Sequence, residues 1–359
     1  MLFQLHRDLA CSPAVAFGLL VDPSALNRWS TSPIRTVAPG DGGHPNGIGA
    51  LRSVGLPGRH GSLEEVVVDA EPGRRLGFRA VGSGVIRGHR TEVVLRPLGP
   101  NRTRVEWKVE VDLRGPLLSL PARLHLGHEL ASSLDRLVEL SSQVRTASPY
   151  PPRRDLDEAP RLPALRLEAE RAEERLVALA EELRATNDDR AGMATGLALA
   201  IHAVVDEVRR GEVYLQPGFV LRLLPPIAQG FEASLARSLG RSSGAVAPAY
   251  ARAFATVRPE DTVAQLGRRA LAAFADGELP KLVLELHAAS YRGLCDPARF
   301  RADVYELGEH LAAVLVEPPS RRPFAPRPEP DAALVRAVRQ GFDRGVAPFA
   351  TPVAGASLH

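Results

Sequence analysis

Five side chains in the first third of this 359-residue sequence could act together on a small organic molecule: Trp29, Arg52, Glu65, His89 and Trp107. His89 shares the period-2 parity of Thr91, Val93 and Leu95, while Arg90, Glu92 and Arg96 take the other side. It is therefore expected to face the dry side of a strand. Arg52 shares parity with Val54 and Leu56. Glu65 goes with Leu63 and Val67, although Val66 and Val68 leave the facing of that strand ambiguous. A histidine with an ordinary pKa of ~6.5 can move a proton near neutrality. The fixed N–H donors of Arg52 can hold a carboxylate or a developing enolate. Glu65 can orient that arginine or act as a base, its pKa rising if it is desolvated. Trp29 and Trp107 can stack on a flat ring or cover it. The same residues also fit a structural reading, in which Arg52 and Glu65 are a buried ion pair, His89 a satisfied core donor and the tryptophans core.

Other chemistry-bearing patterns are weaker. The sequence has no nucleophile elbow, P-loop or GxGxxG. The run GDGGHPNGIG at 40–49 neither follows a buried strand nor opens a helix, so it reads as a flexible loop at a cavity entrance rather than a phosphate cradle. His202 and Asp206 lie four apart, as do Glu306 and His310, with Asp303 one turn earlier, and Glu285 and His287 sit on another predicted helix. Such pairs can build a metal site in a bundle, but HExxH and Glu-x-x-His are absent, and solvated or structural roles are expected. No cofactor and no metal are expected.

Composition narrows the classes further. The chain is 45% hydrophobic and 24% charged, which excludes wholesale disorder and a rod. A net charge of +3 gives no basis for a nucleic-acid partner. Only Lys108 and Lys281 are lysine, so the basic residues are almost all arginine. Cys11 and Cys295 form no CxxC pair and no disulfide framework. The start, MLFQLHRDLACSP, lacks the apolar run of a signal peptide, and no stretch of 18 uncharged apolar residues suggests a membrane span. A soluble cytoplasmic protein is the expectation.

The elements that must position the five residues are legible in the pattern. Phe3, Leu5, Arg7 and Leu9 alternate with Gln4, His6 and Asp8 as a strand. Ser12-Pro13 suits the start of a short helix through about Val21, and a second short helix ends near Trp29. Strands are predicted at 49–57, 62–70, 74–81, 86–96 and 102–113, separated by GRHG, EPGR, GSG and GPNR. The last alternates cleanly. Thr103, Val105, Trp107, Val109, Val111 and Leu113 share one face, and six polar residues share the other, as in an antiparallel sheet covered on a single side. A long amphipathic helix over 117–144 can close that dry face.

This order, with the wording VDPSALNRWS, GIGALRSVGLPG and LEEVVVDAEPGRRLGFRAVGSGVIRGHRTEVVLRPLGPNRTRVEWKVEVDL, resembles the SRPBCC (START-like) superfamily and its polyketide cyclase/dehydrase-type members over residues 1–145. The resemblance implies an α+β helix-grip fold, a seven-stranded curved sheet around one long C-terminal helix, with an apolar cavity between them. Six strands are read directly, and a seventh can lie in 31–38. It also implies that Trp29 comes off a short-helix pair at the cavity mouth. Members range from aromatase/cyclases to lipid carriers and passive binders, so the fold alone chooses no reaction.

The remainder divides into a Pro-rich linker at 146–163, an all-helical domain at 164–316, a second Pro-rich linker at 317–330, and a tail at 331–359 with one amphipathic helix. Leu165, Ala169, Ala172, Leu176, Leu179 and Leu183 form a 4-3-4-3-4 seam suited to a bundle helix. Further helices are predicted at 193–210, 218–239, 246–256, 262–275, 279–293 and 297–315. The wording ATNDDR, LRLLPP and GELPKLVLELHAASYRGLCDPARFRAD resembles a bacterial helical domain without an assigned activity. Two functions follow as expectations. One is binding, with cyclase/dehydratase-like processing, of a hydrophobic small molecule in the grip cavity. The alternative is a non-catalytic sensor or carrier that contacts a protein partner, or itself, through the helical domain and tail.

Overall fold

The computed structural model describes residues 1–55, 61–81, 86–113, 119–152, 156–211, 213–316 and 331–349. The chain divides into two compact units. The first comprises Met1–Asp155, Gly293–Ala302 and Phe349–His359, and the second Leu156–Arg292 and Asp303–Pro348. Residues 293–302 thus group with the first unit, although they lie inside the stretch read from the sequence as helical domain. The stretch 317–330 lies outside the described residues.

The first unit runs β1 (Leu2–Leu9), α1 (Pro13–Val21), α2 (Pro23–Trp29), β2 (Ile34–Ala38), β3 (Leu51–Gly55), β4 (Ser62–Glu71), β5 (Arg75–Val81), β6 (Ile86–Gly99), β7 (Arg102–Leu113) and α3 (Ser119–Gln143). The strands form one antiparallel sheet in the order β1-β7-β6-β5-β4-β3-β2. This is the α+β helix-grip arrangement, and β2 is the seventh strand, inside 31–38. Local chemistry sets the boundaries. Ser12 caps α1, its Oγ accepting from Val15 N at 3.4 Å, with Pro13 at the first turn. Asp22 ends α1 and caps α2, accepting from Ser24 N at 2.8 Å. Along β7, Val105, Val109 and Val111 are buried while Arg102, Glu110 and Asp112 are exposed, the alternation that one covered face demands. Leu134, Leu137 and Leu140 of α3 are buried in a core with Phe17, Trp29, Phe78, Val93 and Val105. Each such leucine contributes about 1.5–3 kcal/mol.

The Gly-rich run 40–49 is a packed turn. Asp41 Oδ1 accepts from Asp296 N and Gly42 N donates to Asp296 Oδ2, both at 2.8 Å. Arg299 pairs with Asp41 at 3.4 Å, and Arg301 donates to the carbonyls of Pro39 and Gly49. Gly49 has φ +81°, and a Cβ there would lie 1.9 Å from the carbonyl oxygen of Ala298. Only glycine fits. The expectation of a flexible entrance loop is corrected: these contacts hold the turn, and it does not line the cavity described below.

The second unit is helical: α4 (Leu162–Ala185), α5 (Ala191–Arg210), α6 (Pro217–Ser238), α7 (Pro248–Ala255), α8 (Val263–Gly277), α9 (Leu279–Leu286), α10 (Arg301–Val314, whose first two residues group with the first unit) and α11 (Ala332–Val346). α4 starts inside the stretch read as linker, because Pro163 sits in its first turn, where a missing N–H costs nothing. Leu165, Ala169, Ala172, Leu176 and Leu183 of the predicted seam are buried, and Leu179 is half-buried. Gly196 of α5 meets Gly267 of α8 so closely that a Cβ on Gly196 would lie 2.5 Å from the Gly267 Cα. α11 is capped by Asp331 and packs Leu334, Val338 and Phe342 against the unit through α8 and α9. The seam and the tail helix, read as partner surfaces in the alternative, are therefore largely used in the unit's own core. α5 is long and apolar enough to cross a membrane, but 61% of its apolar window is buried inside the protein.

Candidate functional site

A cavity of about 140 Å³, open on one side, lies between the sheet, α2 and α3 of the first unit. All five residues singled out in the sequence line it: Trp29, Arg52, Glu65, His89 and Trp107. The register explains how two of them meet. Arg52 on β3 is the cross-strand partner of Glu65 on β4, and Phe78 on β5 is the partner of Thr91 on β6. Arg52 Nη2 donates to Glu65 Oε2 at 2.5 Å, with both side chains buried at 4% and 8% exposure. The ambiguity over Glu65 is thereby resolved inward. The guanidinium also lies over the Phe78 ring, with Cζ 3.7 Å from the centroid. Asn46, fully buried, places Oδ1 3.5 Å from Arg52 Nη1 and donates Nδ2 to Val21 O at 2.7 Å.

His89 stands at the other side of Glu65. Its Nδ1 is 3.8 Å from Glu65 Oε1, beyond hydrogen-bond range, and its Nε2 is 3.0 Å from Thr91 Oγ1. The Thr91 hydroxyl can donate or accept there, so either tautomer of the ring is accommodated. Burial holds the imidazole pKa below its ordinary value; the Glu65 carboxylate opposes this and the Arg52 cation reinforces it. His89 is therefore neutral at pH 7, with one ring nitrogen free. Arg52 Nε, His89 Nδ1 and Trp107 Nε1 are all buried and have no hydrogen-bond partner among the described residues.

The tryptophans form the apolar wall. Trp29 is 3% exposed and donates Nε1 to Leu19 O at 2.9 Å, so it is a fixed part of the lining rather than a loose cover at the mouth. A hydroxyl group pair marks another part of the wall. Ser133 Oγ accepts from Thr31 N at 3.1 Å and lies 3.0 Å from Thr31 Oγ1. Sequence reasoning missed Asn46, Phe78 and this pair. The parity of Phe78 with Leu76 was available as a signal, whereas Asn46 in its glycine-rich turn carried none.

Of the carboxylate–histidine pairs of the second unit, His202 and Asp206 do meet, but at the surface. His202 lies 3.0 Å from Glu173 and 3.4 Å from Asp206, on an exposed face. Asp303 accepts from the backbone of Leu215 and Gln216 at 2.6 and 3.1 Å, at the start of α6. Among the described residues no three potential metal ligands converge.

Residues 2–141 match a family model described as polyketide cyclase/dehydrase and lipid transport. They are an SRPBCC/START-like segment. Several solved structures resemble this START-like segment over about two fifths of the chain. A START superfamily protein from Mycobacterium smegmatis is 17% identical, covering 39% of this chain and 97% of its own, with a TM-score of 0.33. Norcoclaurine synthase from Thalictrum flavum is 11% identical, covering 41% and 88%, with a TM-score of 0.33. The Zhui aromatase/cyclase from Streptomyces sp. R1128 is 8% identical, covering 40% and 94%, with a TM-score of 0.34. No curated protein matches the chain.

Proposed function

We propose that the START-like segment binds a hydrophobic small molecule in this cavity, and that Arg52, Glu65 and His89 act on it by hydrogen bonding and proton transfer. One observation carries the reading: a pocket coincides with a buried Arg–Glu–His group that retains unpaired nitrogens. Burying polar nitrogens without partners costs about 1–3 kcal/mol each, a cost a bound guest removes. The family description supports a hydrophobic ligand and leaves both chemistry and carriage open.

Size restricts the guest. A cavity of about 150 Å³ lined by apolar residues holds a benzene ring, so 140 Å³ suits one ring within the pocket. With an enolisable guest, the free His89 nitrogen takes the carbon-bound proton, and the N–H groups of Arg52 and Trp107 face the oxygen on which charge develops. Glu65 holds the guanidinium in place. Cys11 is a free, buried thiol, which suits a reducing cytoplasm.

The test is calorimetric titration of the full-length protein with one-ring compounds such as ethylbenzene and acetophenone. Saturable one-to-one binding that Leu130→Trp, which fills the hollow, abolishes is the expected result. A protein that binds neither compound up to its solubility limit does not have this function.

A further inference from the structure

Within the binding function proposed above, we propose that the cavity selects neutral one-ring molecules carrying a hydrogen-bond-accepting oxygen, such as aryl ketones, and rejects carboxylates of the same size. Two of its unpartnered donors have protons at fixed positions, Arg52 Nε and Trp107 Nε1. Both side chains line the cavity, and neither donor can be turned into an acceptor. A guest without an oxygen leaves them unpaired. A guest with one satisfies a buried donor, which is worth about tenfold in affinity per bond.

Charge decides against an anion. Among the described lining residues the formal charges are Arg52 on one side and Glu65 and Glu129 on the other. Glu65 already neutralises Arg52 through the 2.5 Å pair. A carboxylate entering this wall would give up its water without meeting an unneutralised cation, and would stand close to two carboxylates. A carbonyl group takes the same hydrogen bonds at a much smaller desolvation cost.

The experiment is calorimetric titration of the full-length protein at pH 7.5 with acetophenone, ethylbenzene and benzoate. Acetophenone is expected to bind about tenfold more tightly than ethylbenzene, and benzoate more weakly than acetophenone by at least that factor. Trp107→Phe, which keeps an aromatic ring and removes the donor, is expected to lower the acetophenone-to-ethylbenzene ratio several-fold. Equal affinities for acetophenone and ethylbenzene, or tighter binding of benzoate, overturn the selectivity while leaving the cavity a binding site. Failure of all three to bind removes the binding function itself.

Discussion

Trp29 and Trp107 meet edge to face with ring centroids 5.6 Å apart and planes inclined at 75°, and both line the same cavity. They are the two tryptophans of the chain. Intrinsic tryptophan emission is therefore a reporter for this site alone. A guest entering the hollow should change the emission by a readily measured fraction. A guest that binds by calorimetry and leaves the emission untouched sits elsewhere.

The Arg52–Glu65 pair should be costly to break from one side. Glu65→Ala leaves a buried guanidinium without its counter-charge and is expected to cost about 3–5 kcal/mol. The double replacement Arg52→Met, Glu65→Leu should cost clearly less than either single change, because it removes both charges and keeps apolar volume. Urea denaturation of the three variants measures this. A fully additive double variant would show that the pair is not coupled.

His89 links stability to pH. Its pKa in the folded protein lies below that of the unfolded chain, chiefly through burial. At pH above ~6.5 both states are neutral and the full stability is present. As pH falls below that value the unfolded chain takes up the proton first, so stability declines, by at most about 1.4 kcal/mol per pH unit from this one group. His44 is shifted the same way, again chiefly by burial. His89→Gln should therefore reduce, and not abolish, the loss between pH 7 and 5. Urea melts across that range give both slopes, and an unchanged slope would reject the assignment.

Proton transfer by His89 has a direct readout. Deuterium uptake into the methyl group of acetophenone, followed by NMR in deuterated buffer, reports enolisation. His89→Ala is expected to slow any protein-dependent exchange by about 10²-fold or more while retaining ligand. Exchange at the full rate in this variant would leave the histidine with a binding or structural role.

The Gly-rich turn should tolerate no side chain at Gly49. Gly49→Ala places a methyl group against Ala298 O and forces a strained φ. A loss of about 2 kcal/mol or more is expected. Gly61, also at positive φ but with open space around it, supplies the control: Gly61→Ala should cost only the backbone term, about 1 kcal/mol. Thermal denaturation compares the two.

The strand carrying Trp107 and the helix carrying Leu134 and Leu137 could be read from the sequence because alternation and 3.6-residue spacing are local signals of one dry face. The inward turn of Arg52 and His89 followed from the same parity. Glu65 could not be placed that way, because Val66 and Val68 on one face and Leu63 and Val67 on the other make both sides of the strand apolar. Its direction is fixed by the partner strand, through the register with Arg52. Asn46 was invisible because its partners, Val21 O and the Tyr150 hydroxyl, lie 25 and 104 positions away; sequence spacing carries no trace of such contacts. The size of the hollow is likewise a property of packing, since a few methyl groups separate a filled core from an empty one.

The contacts of Arg299 and Arg301 with the turn at 39–49 bear on how the gene could be divided. A recombinant fragment stopped after residue 155 would keep every strand and both tryptophans, yet it would lose the two guanidinium groups that tether this turn. Asn46 would keep its bonds with Val21 O and the Tyr150 hydroxyl, but in a turn without that tether. Anyone wishing to study the pocket in isolation should graft the peptide 293–302 back on, or work with the undivided polypeptide.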